Sequence, residues 1–273
     1  MRCDDQFAVI YALQSADRMV VEAFYAAPFH NELSTGPKDG MEKSYLELQK
    51  ILTVMGKAGQ YPVYKGSEAY LSDTITPVDS EAARDLVERA MATEGDTPLY
   101  VVAIGAITNV ASAILMEPKI IEKIVVVWLG GHALHWPHTR EFNLRQDLHA
   151  SRIILDSGVP LVLVPCMGVS SHLLTTLSEL RDYVRDKGTI GEYLYETYKN
   201  CSDDHLGYSR VIWDISTIAY LNNDSWTPSV LTHSPLLSED CRWSVDPTRH
   251  FIRYVWSINR DGVFKDLFRK LTP

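Results

Sequence analysis

The sequence predicts an α/β fold: a mostly parallel central sheet with helices on both faces. Three observations carry this reading. Residues 99–104 (LYVVAI), Ile124–Leu129 (IVVVWL) and Leu161–Val164 are short runs with no polar alternation, as in strands covered on both sides. Stretches of helical periodicity stand between them, the order of a parallel sheet. A chain of 273 residues, 46% hydrophobic and 22% charged, is long enough to bury a sizeable core. Residues 1–273 are therefore read as a single domain.

The elements follow in order. Phe7, Ala8, Tyr11 and Ala12 share one face of a first helix. Residues 19–27 (MVVEAFYAA) read as a strand. Met41, Tyr45, Leu48, Leu52 and Met55 step by three or four and mark an amphipathic helix. Residues 62–64 are a short strand, and 80–92 a helix opened by the Asp79-Ser80 cap signal. Helices are expected at 108–115 and 148–155. The stretch 174–200 reads as polar and helical, and 213–221 as a further helix. The tail reads as short strands, then a helix from about Asp261.

Composition excludes several classes. The formal net charge of -9 argues against a nucleic-acid partner, because neutralising phosphates needs clustered Lys and Arg. Cys3, Cys166, Cys201 and Cys241 are scattered with no C-x-x-C pair, so a disulfide scaffold is not expected and a reducing cytoplasm is. There is no run of eighteen apolar residues and no signal-peptide pattern, so no membrane association is expected.

In a doubly covered parallel sheet, ligands bind beyond the carboxyl ends of the strands, and the candidate polar residues fall mostly there. Asp4-Asp5, Thr108-Asn109 and Asp214 each open a helix, and each alone reads as a cap. Together at one edge they would supply the oxygens that calcium takes. Glu141 and Asn143 lie in a His- and Trp-rich loop, where solvated side chains or a grip on ribose hydroxyls are about even readings. His132, His135 and His138 are spaced i, i+3, i+6. That spacing admits a zinc site, histidines near a base, or an acid for a leaving group. Cys166 follows an apolar strand and reads as a small buried hydrophobe rather than a nucleophile.

These segments resemble a known family. Asp4-Asp5-Gln6-Phe7-Ala8, Ala27-Pro28-Phe29-His30-Asn31, Gly105-Ala106-Ile107-Thr108-Asn109, Trp128-Leu129-Gly130-Gly131, Glu141-Phe142-Asn143 and Trp213-Asp214 occur in the order and approximate spacing of the inosine–uridine-preferring nucleoside hydrolases. The resemblance implies that Asp5, Thr108 (through its backbone carbonyl) and Asp214 bind Ca2+. It implies that Asp4, Asn31, Glu141 and Asn143 bind ribose. It implies a reaction in which a calcium-bound water attacks the anomeric carbon and splits the N-glycosidic bond of a ribonucleoside to free base and ribose. It also implies a homodimer or homotetramer, with a small-molecule nucleoside or ribose as partner.

The sequence departs from the pattern in three places. The family opens with a strand ending in Asp-x-Asp, whose last aspartate binds calcium and takes the proton of the water. Only three residues precede Asp4, so the first strand is missing from the chain and the sequence is expected to be shortened at its amino end. Losing a buried strand would cost an amount comparable to the roughly 5–15 kcal/mol by which a domain is stable. Where some members carry a histidine acid, this chain has Trp213, which would stack on a base. His132 stands where the family often has Asn, and it is a candidate ribose contact. His132, His135 and His138 are then the candidates for the missing acid. The alternative to a hydrolase is a catalytically inactive ribose-, nucleoside- or calcium-binding protein on the same fold. A zinc-dependent hydrolase is a third reading. Preference for purine or pyrimidine nucleosides is not legible.

Overall fold

The computed structural model describes residues 4–271. The expectations attached to Cys3 and to the lead-in before Asp4 fall outside them. The amino-terminal part contains α1 (Asp5–Leu13), β1 (Phe24–Tyr25), α2 (Pro37–Val54), β2 (Val63–Tyr64), α3 (Glu81–Ala92), β3 (Leu99–Ala103) and α4 (Thr108–Met116). The middle contains β4 (Ile124–Leu129), α5 (Phe142–Gln146), α6 (Leu148–Asp156), β5 (Leu161–Val164), β6 (Leu174–Thr175), α7 (Leu177–Tyr183) and α8 (Gly188–Lys199). The remainder is β7 (Arg210–Val211), α9 (Ile215–Asn222), β8 (Ser229–His233), β9 (Leu236–Leu237), β10 (Trp243–Ser244), β11 (Phe251–Val255) and α10 (Arg260–Lys270).

The central sheet runs β3-β4-β5-β11-β8, parallel except for β8, which pairs antiparallel with β11. The predicted α/β class and the two-sided cover are present. β4 shows why its sequence has no polar alternation. Val126 and Trp128 pack on one face of the sheet with Leu86, Ala111 and Ile154 of α3, α4 and α6, while Val127 and Leu129 pack on the other face. Trp128 is fully buried, and its indole N–H donates to the Gly105 carbonyl at 3.2 Å.

Two expectations change. The run 19–27 pairs only over Phe24–Tyr25, with β2, and Val20 is 87% exposed. The pair β1-β2 is a small sheet of its own, not hydrogen-bonded to β3. Among the described residues nothing pairs on its other side, so β1 lacks the second set of bonds that would hold a longer strand. The polar stretch 174–200 contains not only helices but also β6, which pairs with β7.

The first helix is buried on every side rather than along one stripe: all residues from Gln6 to Leu13 are buried. An apolar surface all round is what a helix inside a core requires. α1 lies among α2, α9 and the chain's last helix. The Tyr11 hydroxyl donates to Asp266 of α10 at 2.5 Å, and the Asn222 amide of α9 donates to Ser15 Oγ at 2.9 Å. At the end of β1, Asn109 acts as a clamp. Its Nδ2 donates to the Ala26 carbonyl at 3.0 Å, and its Oδ1 accepts from Ser67 N–H at 2.8 Å. Gly66 beside it has no room for a Cβ, which would lie 1.9 Å from the Ala26 oxygen.

Candidate active site

The carboxyl ends of β3 and β4 and the first turns of α1 and α9 enclose a cleft of about 220 Å³. Three aspartates meet in it. Carboxylate oxygens of Asp4, Asp5 and Asp214 lie within 4.8 Å of one another, with Asp4 and Asp214 buried. The cap reading of these residues fails, because neither Asp4 nor Asp214 bonds its own helix through its side chain. True caps elsewhere do: Ser80 Oγ accepts from Ala83 N–H, and Asp147 accepts from Ala150 N–H. Helix dipoles favour negative charge at both helix starts. Three like charges this close still repel, and an all-oxygen anionic set suits a hard divalent cation.

Glu141 stands on another wall. Its carboxylate accepts from the N–H groups of Asn143 (2.8 Å), Leu144 (2.9 Å) and Gly131 (3.1 Å). Burial pushes its pKa up, opposed by those three donors. Asn143 is held by Nδ2 donating to the carbonyls of Leu129 (3.0 Å) and Ile104 (3.2 Å). The Gly130-Gly131 pair has a structural reason. Gly131 sits at φ +70, and a Cβ there would meet Thr139 Oγ1 at 2.7 Å.

His132 lines the cleft. Its N–H donates to Thr139 Oγ1, its carbonyl accepts from the Trp243 indole at 2.9 Å, and its Nδ1 accepts from Met167 N–H at 3.3 Å. Burial, then the charge of His138, lowers its pKa to about 4. The ring is therefore neutral at pH 7, with the proton on Nε2, and it offers a hydrogen-bond donor rather than an acid.

The structure brings Asp4, Asp5, Asn31, His132, Glu141, Asn143, Trp213 and Asp214 to this one cleft. It does not bring Thr108. That residue is fully buried in the first turn of α4, with its hydroxyl donated to Asp147 at 2.8 Å, and the chain lining the cleft there is Ile104, Gly105 and Ala106. Asp4, expected on the sugar alone, stands with the other two aspartates. His135 and His138 are not cleft residues. His138 Nδ1 accepts from Arg140 N–H, and His135 packs edge-on to Trp136. The three histidines do not gather as a metal site. Among the described residues the aspartate trio does. The zinc reading fails because the three imidazoles do not bring ligand atoms to one point, although the rings of His132 and His138 pack 5.6 Å apart, centroid to centroid.

Arg140, Gln146 and Cys166 line the cleft without having been singled out for it. Gln146 Oε1 accepts from His30 N–H and the Tyr70 hydroxyl. Adjacency of Arg140 to Glu141 was the only signal for it. Cys166 is buried, as expected, and burial raises its thiol pKa well above the ordinary value.

The family model described as inosine-uridine preferring nucleoside hydrolase matches residues 1–255. The chain belongs to the inosine-uridine preferring nucleoside hydrolase family. Curated relatives include the putative pyrimidine-specific ribonucleoside hydrolase RihB of Shigella boydii serotype 4, 28% identical over 151 residues, covering 53% of this chain and 61% of that protein. The pyrimidine-specific ribonucleoside hydrolase RihB of Escherichia coli O1:K1 is 28% identical over 152 residues, covering 53% and 48%. The chain thus matches about half to three-fifths of the length of these nucleoside hydrolase relatives. Among solved structures, an inosine-guanosine nucleoside hydrolase superposes with a TM-score of 0.78 at 16% identity, covering 99% of this chain and 95% of that one. The plant nucleoside hydrolase PpNRh1 gives 0.76 at 19%, covering 99% and 96%. These likenesses show the nucleoside hydrolase fold.

Proposed function

We propose that this chain hydrolyses the N-glycosidic bond of a ribonucleoside, releasing base and ribose, in the cleft between α1, α9 and the ends of β3 and β4. The observation that carries the reading is the meeting of Asp4, Asp5 and Asp214 in the same cleft as Glu141 and Asn143. Asp5 and Asp214 would hold a divalent cation, with calcium the best match to an all-oxygen carboxylate set. The cation, when bound, supplies Lewis acidity to a water molecule. Asp4, Glu141, Asn143 and Asn31 would accept from or donate to the sugar hydroxyls and hold the anomeric carbon in place. The neutral His132 ring would donate Nε2–H to the sugar. Trp213, half-buried at the rim, would stack on the base. A cytoplasmic homodimer or homotetramer is part of the same reading.

The test is incubation with a panel of purine and pyrimidine ribonucleosides and calcium, reading free base and reducing sugar. Release that stops on chelation and returns with calcium supports the proposal. No release between mildly acidic and neutral pH overturns it.

One observation favours a second reading, a ribose-, nucleoside- or calcium-binding protein without turnover. Trp213 offers no acid, and His132 is neutral at pH 7. Calorimetry showing saturable nucleoside binding with no base released selects that reading.

A further inference from the structure

One charged residue of the cleft has no part in the reading above. Arg140 lines the wall next to Glu141 and is exposed. Its main chain is pinned on both sides. Thr139 N–H donates to the Cys241 carbonyl at 2.7 Å, and Glu141 N–H donates to the Thr139 carbonyl at 2.7 Å. Arg140 N–H donates to His138 Nδ1 at 3.3 Å, and its side-chain Nε to the Asp240 carbonyl at 3.4 Å. The neighbouring carboxylates are engaged elsewhere. That of Asp240 accepts from Arg242 Nε at 2.8 Å and Ser238 Oγ at 2.6 Å, and that of Glu141 faces three main-chain donors. Among the described residues no carboxylate lies within ion-pair distance of the Arg140 guanidinium.

Arg140 does not stand alone. Burial raises the pKa of the Cys241 thiol, and the charges of Arg140, Arg145 and Arg152 oppose that rise, so the three arginines lie around one point behind the rim. Arg145, in the last turn of α5, lies over the Phe142 ring at 5.8 Å from its centroid. Arg152 of α6 donates Nε to the Leu237 carbonyl at 3.0 Å. Neither makes an ion pair among the described residues. In a chain of net charge -9 this rim is a local positive field.

We infer that the substrate of this cleft is a ribonucleoside 5′-monophosphate whose phosphate is held by Arg140, an inference that deepens the hydrolase reading above and rests on it. A neutral nucleoside gives a guanidinium nothing to neutralise. A phosphate does, and the planar fork of arginine matches two phosphate oxygens at once. The position fits the shape of the substrate. Base and C5′ group leave ribose at the two carbons that flank the ring oxygen. With the base on Trp213 at the start of α9 and the sugar against Glu141, the C5′ group reaches the wall away from Trp213, which carries Arg140. A divalent cation on the aspartate trio would cancel two of its charges, which lessens the repulsion of a phosphate by the floor of the cleft. The bond chemistry is unchanged. The C1′–N bond breaks, the water oxygen joins C1′, one proton of the water stays on the new hydroxyl and the other ends on the base. The sugar product is ribose 5-phosphate.

The test compares each 5′-monophosphate of a purine and pyrimidine panel with its own nucleoside, with calcium present. Wild-type kcat/KM should be about ten-fold or more higher for the monophosphate, and that ratio should fall to about one in Arg140→Ala and lie between in Arg140→Lys. Each ratio compares two substrates on one preparation, so partial misfolding cancels. Calorimetry should show ribose 5-phosphate binding more tightly than ribose, with the difference lost in Arg140→Ala. Equal or faster turnover of the nucleoside, or a ratio unchanged in Arg140→Ala, overturns the inference and leaves nucleoside hydrolysis standing. Hydrolysis of neither substrate, with ribose 5-phosphate still held more tightly through Arg140, overturns the hydrolase reading and upholds the phosphate site. Inorganic phosphate bound as tightly as ribose 5-phosphate, and equally by wild type and Arg140→Ala, places the anion elsewhere and overturns the inference.

Discussion

Thr108 donates its hydroxyl to Asp147 at 2.8 Å, with both residues buried, and Asp147 also accepts from the N–H groups of Leu71 and Ala150. One carboxylate thus fixes the start of α4, the start of α6 and the loop before α3. Asp147→Ala removes the acceptor for three buried donors and the cap of α6. The expected loss is about 2–4 kcal/mol, read as a lower denaturation midpoint in urea. A midpoint unchanged within error would show that water replaces the carboxylate.

The aspartate trio gives a prediction of opposite kind. Asp214→Asn removes one of three crowded charges at a helix start, and the fold should survive it. Calcium should raise the melting temperature of the wild type, since a ligand that binds only the native state stabilises it. The variant should lose most of that rise and lose nucleoside hydrolysis by at least 100-fold. A calcium-induced shift equal to that of the wild type would remove Asp214 from the cation site.

His132 carries a pH prediction. Its folded pKa of about 4 lies below the roughly 6.5 of an unfolded histidine. The unfolded chain therefore binds more protons between those values, and stability must fall as pH drops through that window. The contribution is fully present above about pH 6.5 and is lost on approaching pH 4. Melting curves across this range should show a shallower acid decline for His132→Phe than for the wild type. Parallel declines would place the acid sensitivity elsewhere.

Asn109 holds the end of β1 to α4 through two buried bonds. Asn109→Ala leaves the Ala26 carbonyl and the Ser67 N–H without side-chain partners, at a cost of about 2–3 kcal/mol. Hydrogen exchange should quicken first at Ser67 and at the amides of β1. Uniform quickening over the whole sheet would mean that β1 is not a locally held unit.

Trp213→Ala tests the stacking role. Base–aromatic stacking is worth about 1–3 kcal/mol, so KM for nucleosides should rise roughly ten-fold or more while kcat changes little. A fall in kcat at constant KM would give Trp213 a different role.

Much of this was legible in the sequence, and the reason is local. β4 and β5 are short apolar runs that can only be strands buried on both faces, and Ser80 announces its helix by a cap it actually makes. The cleft was legible where several side chains fall near strand ends in one order along the chain. The partner of the Thr108 hydroxyl was not legible, because a helix-opening threonine looks the same whether it faces a cleft or a buried carboxylate thirty-nine residues away. Residues 19–27 were read as one long strand because apolar content does not reveal whether a pairing partner exists on both sides. Arg140 and Gln146 were missed because their place depends on how a loop folds back, which no periodicity encodes.

The bolting of α1 to α10 has a consequence for how the chain is made. Tyr11 and Asp266 are separated by 255 positions, and a ribosome emits residues at about 5–20 per second. α1 therefore leaves the ribosome many seconds before α9 and α10, and part of its greasy surface stays bare for that interval. Chaperones that shield nascent polypeptides should engage α1 until α9 and α10 have followed, and cutting the chain before α10 should loosen α1 even though nothing near it in sequence has been altered.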